Sequence, residues 1–181
     1  MAAGPYIDPS PPRAVMEKVR ARFGAAVLET GEFRGELTLL VAPEAIVEVG
    51  RFLRDDPECG FDMPSAVVGL HFLDREYEHE VVYQLYSIGK NHRMRLKVRA
   101  KAGEAVPSLT SVWPGTGWPE REAFDLVGVR FQGHPDLRRI IMPEDYPDHP
   151  LRKDFDVEGG PTDLDGPGRP ASPGFRDLEH A

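Results

Sequence analysis

Between residues 113 and 155 the chain gathers its chemically able side chains: both tryptophans, two His-Pro pairs, and interleaved arginines and carboxylates. His134, Asp136, Asp145, Asp148, His149 and Asp154 are all of metal-ligand type, and imidazoles beside carboxylates could hold a divalent ion for hydrolysis. The spacing opposes that use. No HxxxH or HExxH helix joins the two histidines, and Arg138, Arg139, Arg152 and Lys153 bring positive charge to the same positions. A dinucleotide site is not supported either, since Gly115-Thr116-Gly117 runs into Pro119 and Glu120 where a third glycine belongs, and no P-loop is present. The one cysteine, Cys59, cannot by itself ligate an iron–sulfur cluster. The density of charge, aromatics and turn residues over this stretch points to a site. A blander reading leaves the same histidines and carboxylates as turn caps in a free-standing domain.

Composition narrows the setting. The chain has 181 residues, enough for one domain with its own core, and a net charge of −8, which repels a polyanion and argues against nucleic acid as a partner. A lone cysteine fits a reducing cytoplasmic environment. No apolar run approaches the roughly 18 residues that span a bilayer, and MAAGPYIDPSPPRAV lacks the basic start and apolar centre of a signal peptide.

These residues need elements to position them. After a proline-rich arm over 1–12, Val15, Val19 and Phe23 at helical spacing predict a first helix that Gly24 stops. Two short strands are predicted over 26–33 and 36–41, then a helix opened by Pro43 and closed at Asp55-Asp56-Pro57. Runs at 66–73, 79–88 and 93–100 read as an antiparallel meander. In the last, Arg93, Arg95, Lys97, Arg99 and Lys101 alternate with apolar residues, so one strand face is wholly basic and is expected either to face solvent or to meet an acidic surface. A third helix begins near Thr116 and Gly117 and ends at Gly128, with Ala123, Phe124 and Val127 inward. Trp118, Arg121, Glu122 and Asp125 fall on another face, where Arg121 and Asp125 are spaced for an ion pair. Prolines over 143–150 force an extended path beyond it.

The class is therefore α+β: an antiparallel or mixed sheet with about three helices, followed by an extended C-terminal segment that needs something to lie against. The expected divisions are 1–12 as a flexible arm, 13–128 as the globular domain, 129–155 as the extended motif segment, and 156–181 as a Gly/Pro-rich tail ordered mainly in a complex.

The run ERExxDxxGxxFxGHPDLRRI over 120–140, followed by HPLRKDF over 149–155, resembles the 30 kDa subunit of respiratory complex I, the NADH-quinone oxidoreductase of bacteria. Glu120, Arg121, Glu122, Asp125, Gly128, Phe131, His134, Arg138, His149, Pro150, Arg152, Lys153 and Asp154 occupy motif positions, with Trp113 and Trp118 ahead of them. The resemblance implies a subunit without catalytic residues of its own. It would brace the quinone-pocket and terminal-cluster subunits of a proton-translocating enzyme, peripheral on the cytoplasmic side of the cell membrane. FMN, iron–sulfur clusters and quinone would sit on partner subunits, with no cofactor on this chain. Trp118, Arg121, Glu122, Asp125, His134, Arg138, Arg139, His149, Arg152, Lys153 and Asp154 are the expected partner-interface residues. Related ferredoxin- or F420-dependent dehydrogenases and membrane-bound hydrogenases use the same subunit type, and nothing in this chain touches the electron donor.

Overall fold

A computed structural model describes residues 13–155. Helix α1, Arg13–Phe23, buries Val15, Met16 and Val19 and leaves its charged residues outward, as the helical period requires. Lys18 reaches from it to Asp56 and Glu58 beyond the second helix, at 2.8 and 2.9 Å. Strands β1 (Val27–Phe33) and β2 (Glu36–Val41) form a hairpin through Arg34 and Gly35, both at positive φ. A short 3-10 turn led by Pro43 opens α2, Ile46–Asp55, which turns Ile46, Val49 and Leu53 inward.

The meander follows as β3 (Met63–His71), β4 (His79–Ser87) and β5 (His92–Ala100). β3 starts three residues earlier than the 66–73 expected and stops at His71. Pro64 fits there because β3 is an edge strand, where a missing N–H breaks no ladder bond. The sheet order is β1-β2-β5-β4-β3, antiparallel throughout except for β2 beside β5, which run parallel with Leu39 opposite Leu96. Mixed pairing arises because α2, β3 and β4 intervene before β5 returns to lie against β2.

One sheet face carries the core. Leu39, Val41, Val81, Tyr83, Leu85, Met94, Leu96 and Val98 join Val19, Ile46, Leu53, Leu109, Trp113 and Ala123 in a single buried cluster. Each fully buried aliphatic side chain there stabilises by about 1.5–3 kcal/mol relative to exposure.

The opposite face holds the basic residues of β5, and it is not the uniformly basic surface the alternation suggested. Lys97 and Arg99 both bond the buried Glu80 at 2.9 Å, Arg99 also bonds Glu29 at 3.0 Å, and Arg95 pairs with Glu36. Carboxylates on β1, β2 and β4 thus neutralise the ladder from either side, a cross-strand arrangement that one strand read alone cannot reveal.

A two-residue parallel pair, β6 (Val106–Pro107) and β7 (Phe131–Gln132), brackets helix α3, Gly117–Val127. α3 lies so close on β3 that a Cβ placed on Gly69 would stand 3.0 Å from the Ala123 Cβ. Its end is fixed by Gly128 at φ 85, whose N–H bonds the Phe124 carbonyl. Residues 133–155 form no helix or strand, as their prolines dictate. Among the described residues no helix is long and apolar enough to cross a membrane. The expectations for 1–12 and 156–181 fall outside the described residues.

Candidate functional site: a C-terminal segment locked onto helix α3

The segment 133–155 holds its path by bonding to α3 and to the β3–β4 hairpin as well as to itself. Its centre is Asp125, whose side chain is 0% exposed. One carboxylate oxygen accepts the consecutive backbone N–H groups of Ile140, Ile141 and Met142 at 2.9, 2.7 and 2.9 Å, and the other accepts Arg139 at 2.8 Å. Burial pushes this carboxyl up, but the three amides and the guanidinium outweigh it and hold the pKa at about 2.

The ion pair expected between Arg121 and Asp125 is replaced by this arrangement. Arg121 instead donates to the Arg138 and Arg139 carbonyls at 3.0 and 2.8 Å and stacks on Trp118, with 4.7 Å to the ring centre. Arg139 faces inward, donating also to the Tyr146 and Asp148 carbonyls.

The two histidines of the His-Pro pairs both close on α3. His134 accepts the Asp136 N–H at Nδ1 and donates from Nε2 to the Gly117 carbonyl at 3.0 Å, bracing the helix start. His149 donates from Nδ1 to the Asp125 carbonyl at 2.8 Å and packs against Phe124 and Gly128 at the helix end. Beyond it the Leu151 N–H bonds the Leu126 carbonyl.

Farther on, the segment meets residues that sequence reading did not single out. The Lys153 N–H donates to His71 Nδ1 at 3.0 Å, and Arg152 bonds Glu78 and Asp154 at 2.8 Å. Arg152 draws the Asp154 carboxyl down to about 2. Burial pushes Glu78 up, but Arg152, His79 and His71 together outweigh it and leave the carboxyl below its ordinary range. His71 and His79 sit opposite each other at the closed end of the β3–β4 hairpin, a neighbourhood that follows from register alone.

His71, Glu78 and His79 are the one group of ligand-type residues, among those described, close enough to share a metal ion. Their hydrogen bonds do not suit one. A backbone N–H on His71 Nδ1 leaves the proton on Nε2, 3.4 Å from Glu78, so the nitrogen that would face an ion is not free. The Arg152 guanidinium occupies the same carboxylate. His134, His149, Asp136, Asp145 and Asp148 do not join this group.

A second buried carboxylate anchors the start of α3. Glu120 accepts Tyr83 Oη at 3.1 Å, Ser108 Oγ at 2.6 Å and the Leu109 N–H at 2.9 Å. Burial raises its pKa, and these donors act the other way without reversing it. The sequence placed Glu120 in a first turn favoured by the helix dipole. Its position three before Ala123 and seven before Val127, on the inward stripe, was the available signal.

What this leaves outside is a braced surface. Trp118 is 65% exposed, and Ile141 and Leu151 stand out from the locked segment, with Glu122, Arg138, Lys153 and Asp154 also exposed. Among the described residues Arg138 is bridged to Asp136 alone, at 2.6 Å. Among the described residues, the cleft beside this segment is lined by His71, Glu78, Arg152 and Asp154 and by no Ser, Thr or Cys.

Residues 39–161 match the family described as respiratory-chain NADH dehydrogenase, 30 Kd subunit. An NADH-quinone oxidoreductase subunit of Roseiflexus sp. (strain RS-1) is 50% identical over 141 residues, covering 77% of this chain and 81% of that protein. The subunit of the same name from Xanthobacter autotrophicus is 47% identical over 78% of this chain and 68% of its own length. In fold, the chain resembles one in the membrane-bound sulfane sulfur reductase, an archaeal respiratory membrane complex, with a TM-score of 0.67 at 21% identity, covering 80% of this chain and 85% of that one. The chain belongs to the 30 kDa subunit family of the respiratory-chain NADH dehydrogenase.

Proposed function

We propose that this chain is a non-catalytic brace in the peripheral arm of a proton-translocating NADH:quinone oxidoreductase, holding the quinone-pocket and terminal iron–sulfur subunits in register during electron transfer. The observation that carries this reading is the buried Asp125 carboxylate. It fixes three successive amides of an otherwise irregular segment, so the outward Arg138, Ile141, Leu151 and Lys153 are presented on a rigid path beside Trp118 of α3 before any partner arrives. Exposed aromatic and arginine anchors on a preorganised support are what a subunit contact needs. Glu122 and Asp154 add acidic contacts at its rim, while Asp125, His134, Arg139, His149 and Arg152 act from beneath by fixing the path. FMN, clusters and quinone belong to the partners in this reading, and the chain reaches the cytoplasmic side of the membrane only through them.

Purification of the N-terminally tagged full chain from gently detergent-solubilised membranes tests it. Recovery of cluster-bearing, quinone-pocket and membrane subunits supports the brace, and recovery of the chain alone from the soluble fraction overturns it. The fold shared with a sulfane sulfur reductase chain favours one second reading, an equivalent brace in a complex fed by another donor such as ferredoxin, F420 or hydrogen. The electron-input subunits recovered would decide between them.

A further inference from the structure

β3 is the outer strand of the five-stranded sheet. Its nine residues, MPSAVVGLH, include no Lys, Arg, Asp or Glu, in a chain of which 29% is charged. Exposed sheet edges are ordinarily kept from pairing by charge, bulges or proline. The opposite edge, β1, follows that rule with exposed Glu29 and Glu32. Along β3 the protection is confined to its first residues, where Pro64 and a bulge lie.

The backbone of β3 is open to a new strand. The bond from the Phe72 N–H to the Glu78 carbonyl sets the alternation, so that Leu70 and Val68 turn their amides and carbonyls toward β4 while His71, Gly69 and Val67 turn theirs outward. Among the described residues nothing bonds these outward groups. Gly69 remains partly exposed although Ala123 crowds its side-chain position, and since a glycine has only main chain, the exposed surface is the edge itself. Beside it Val68 and Leu70 are 43% and 38% exposed on the open sheet face, spaced to meet alternate side chains of an added strand.

We infer that β3 is completed by a sixth strand from another subunit of the assembly: an extended segment, uncharged where it pairs, with apolar side chains at alternate positions over Val68 and Leu70. Main-chain bonds to Val67, Gly69 and His71 give such a strand its affinity, and the two apolar contacts set its register. The edge is continuous with the surface assigned to subunit contacts, because its last residue, His71, accepts the Lys153 N–H of the locked segment. This inference rests on the subunit reading above.

Hydrogen exchange read by mass spectrometry on the free full chain and on the purified assembly tests it. The outward amides of Val67, Gly69 and His71 exchange quickly in the free chain and slow by about 100-fold or more in the assembly. A Val68→Glu, Leu70→Lys double variant, altered only at exposed positions and with the new lysine opposite Glu80, keeps the melting behaviour of the parent and is recovered in the assembly at a small fraction of its level. Three results overturn the inference: slow exchange of those amides in the dilute free chain, protection that grows with the concentration of the free chain alone, which indicates a second copy, or unchanged exchange in an intact assembly. Failure of the chain to co-purify with any assembly overturns the subunit reading and this one with it, whereas a recovered assembly with unprotected β3 overturns this one alone.

Discussion

Arg139 and Asp125 form an ion pair at 2.8 Å in which the carboxylate side chain is 0% and the guanidinium 11% exposed, and the pair joins the irregular C-terminal segment to α3. Removing one member of so enclosed a pair leaves the other without compensation. Asp125→Ala is expected to cost roughly 3–5 kcal/mol, because three amides and a guanidinium lose their acceptor together. Chemical denaturation of the isolated chain measures this, and a loss below about 1 kcal/mol, the net worth of a single ordinary hydrogen bond, would refute the central role given to Asp125.

The same carboxyl sets an acid limit. Folding lowers its pKa from 3.8 to about 2, so its contribution is present above 3.8 and is lost as pH falls from there toward 2. The difference amounts to about 2 kcal/mol. Stability followed between about pH 5 and pH 2 should fall more steeply in the parent than in Asp125→Asn, and parallel curves would contradict the assignment.

Arg121→Ala removes two bonds to the Arg138 and Arg139 carbonyls and the support under Trp118. Local docking of 138–142 should weaken by about 1–3 kcal/mol while the global melt changes little, since the core cluster does not include Arg121. Arg121→Lys should recover little of this, because an ammonium cannot bridge two carbonyls as a fork does. Amide exchange across 138–142 and recovery of the assembly are the readouts, and full recovery by the lysine variant would disprove the fork.

Gly128 combines positive φ with close contact. A Cβ there would lie 2.8 Å from His149 Cδ2, and φ 85 is itself unfavourable for any L side chain. Gly128→Ala should therefore cost more than the roughly 1 kcal/mol of backbone strain alone. In a double-mutant cycle with His149→Ala the clash should vanish while the backbone cost stays, giving a coupling of about 1 kcal/mol or more. Additive losses in thermal melts would show that the ring and the turn are independent.

Much of this was legible locally. The alternation of β5 and the stop at Gly128 each follow from a few neighbouring residues, and the structure has both, whereas 143–150, expected to run extended, holds turns such as the one closed by the Tyr146 N–H on the Pro143 carbonyl. The partner of Asp125 did not follow. Helical spacing reports which residues can meet on one helix, and it offered Arg121, whereas Arg139 arrives only because the chain turns back after β7. The parallel match of β2 with β5, and the meeting of His71 with Lys153, depend likewise on long-range packing that no local period encodes.

Glu120 offers a different test, since here the buried carboxylate works against rising pH. Its folded pKa lies above the ordinary 4.5, so the folded state holds the proton more tightly, and stability attributable to this group declines as pH rises from 4.5 through the folded value. Deleting it is nonetheless costly. Tyr83 Oη, Ser108 Oγ and the Leu109 N–H would be left buried without their acceptor, at about 1–3 kcal/mol for each group that finds no new partner. Glu120→Ala should thus lower stability by several kcal/mol near neutral pH, and loosen the start of α3 where Trp118 stands. Tyr83→Phe removes one donor and leaves the carboxylate with its others, so its loss should be much smaller. Paired denaturation curves at about pH 5 and pH 8 would decide this: equal losses for the two variants, or a parent whose Glu120-dependent stability rises with pH, would overturn the account of the network.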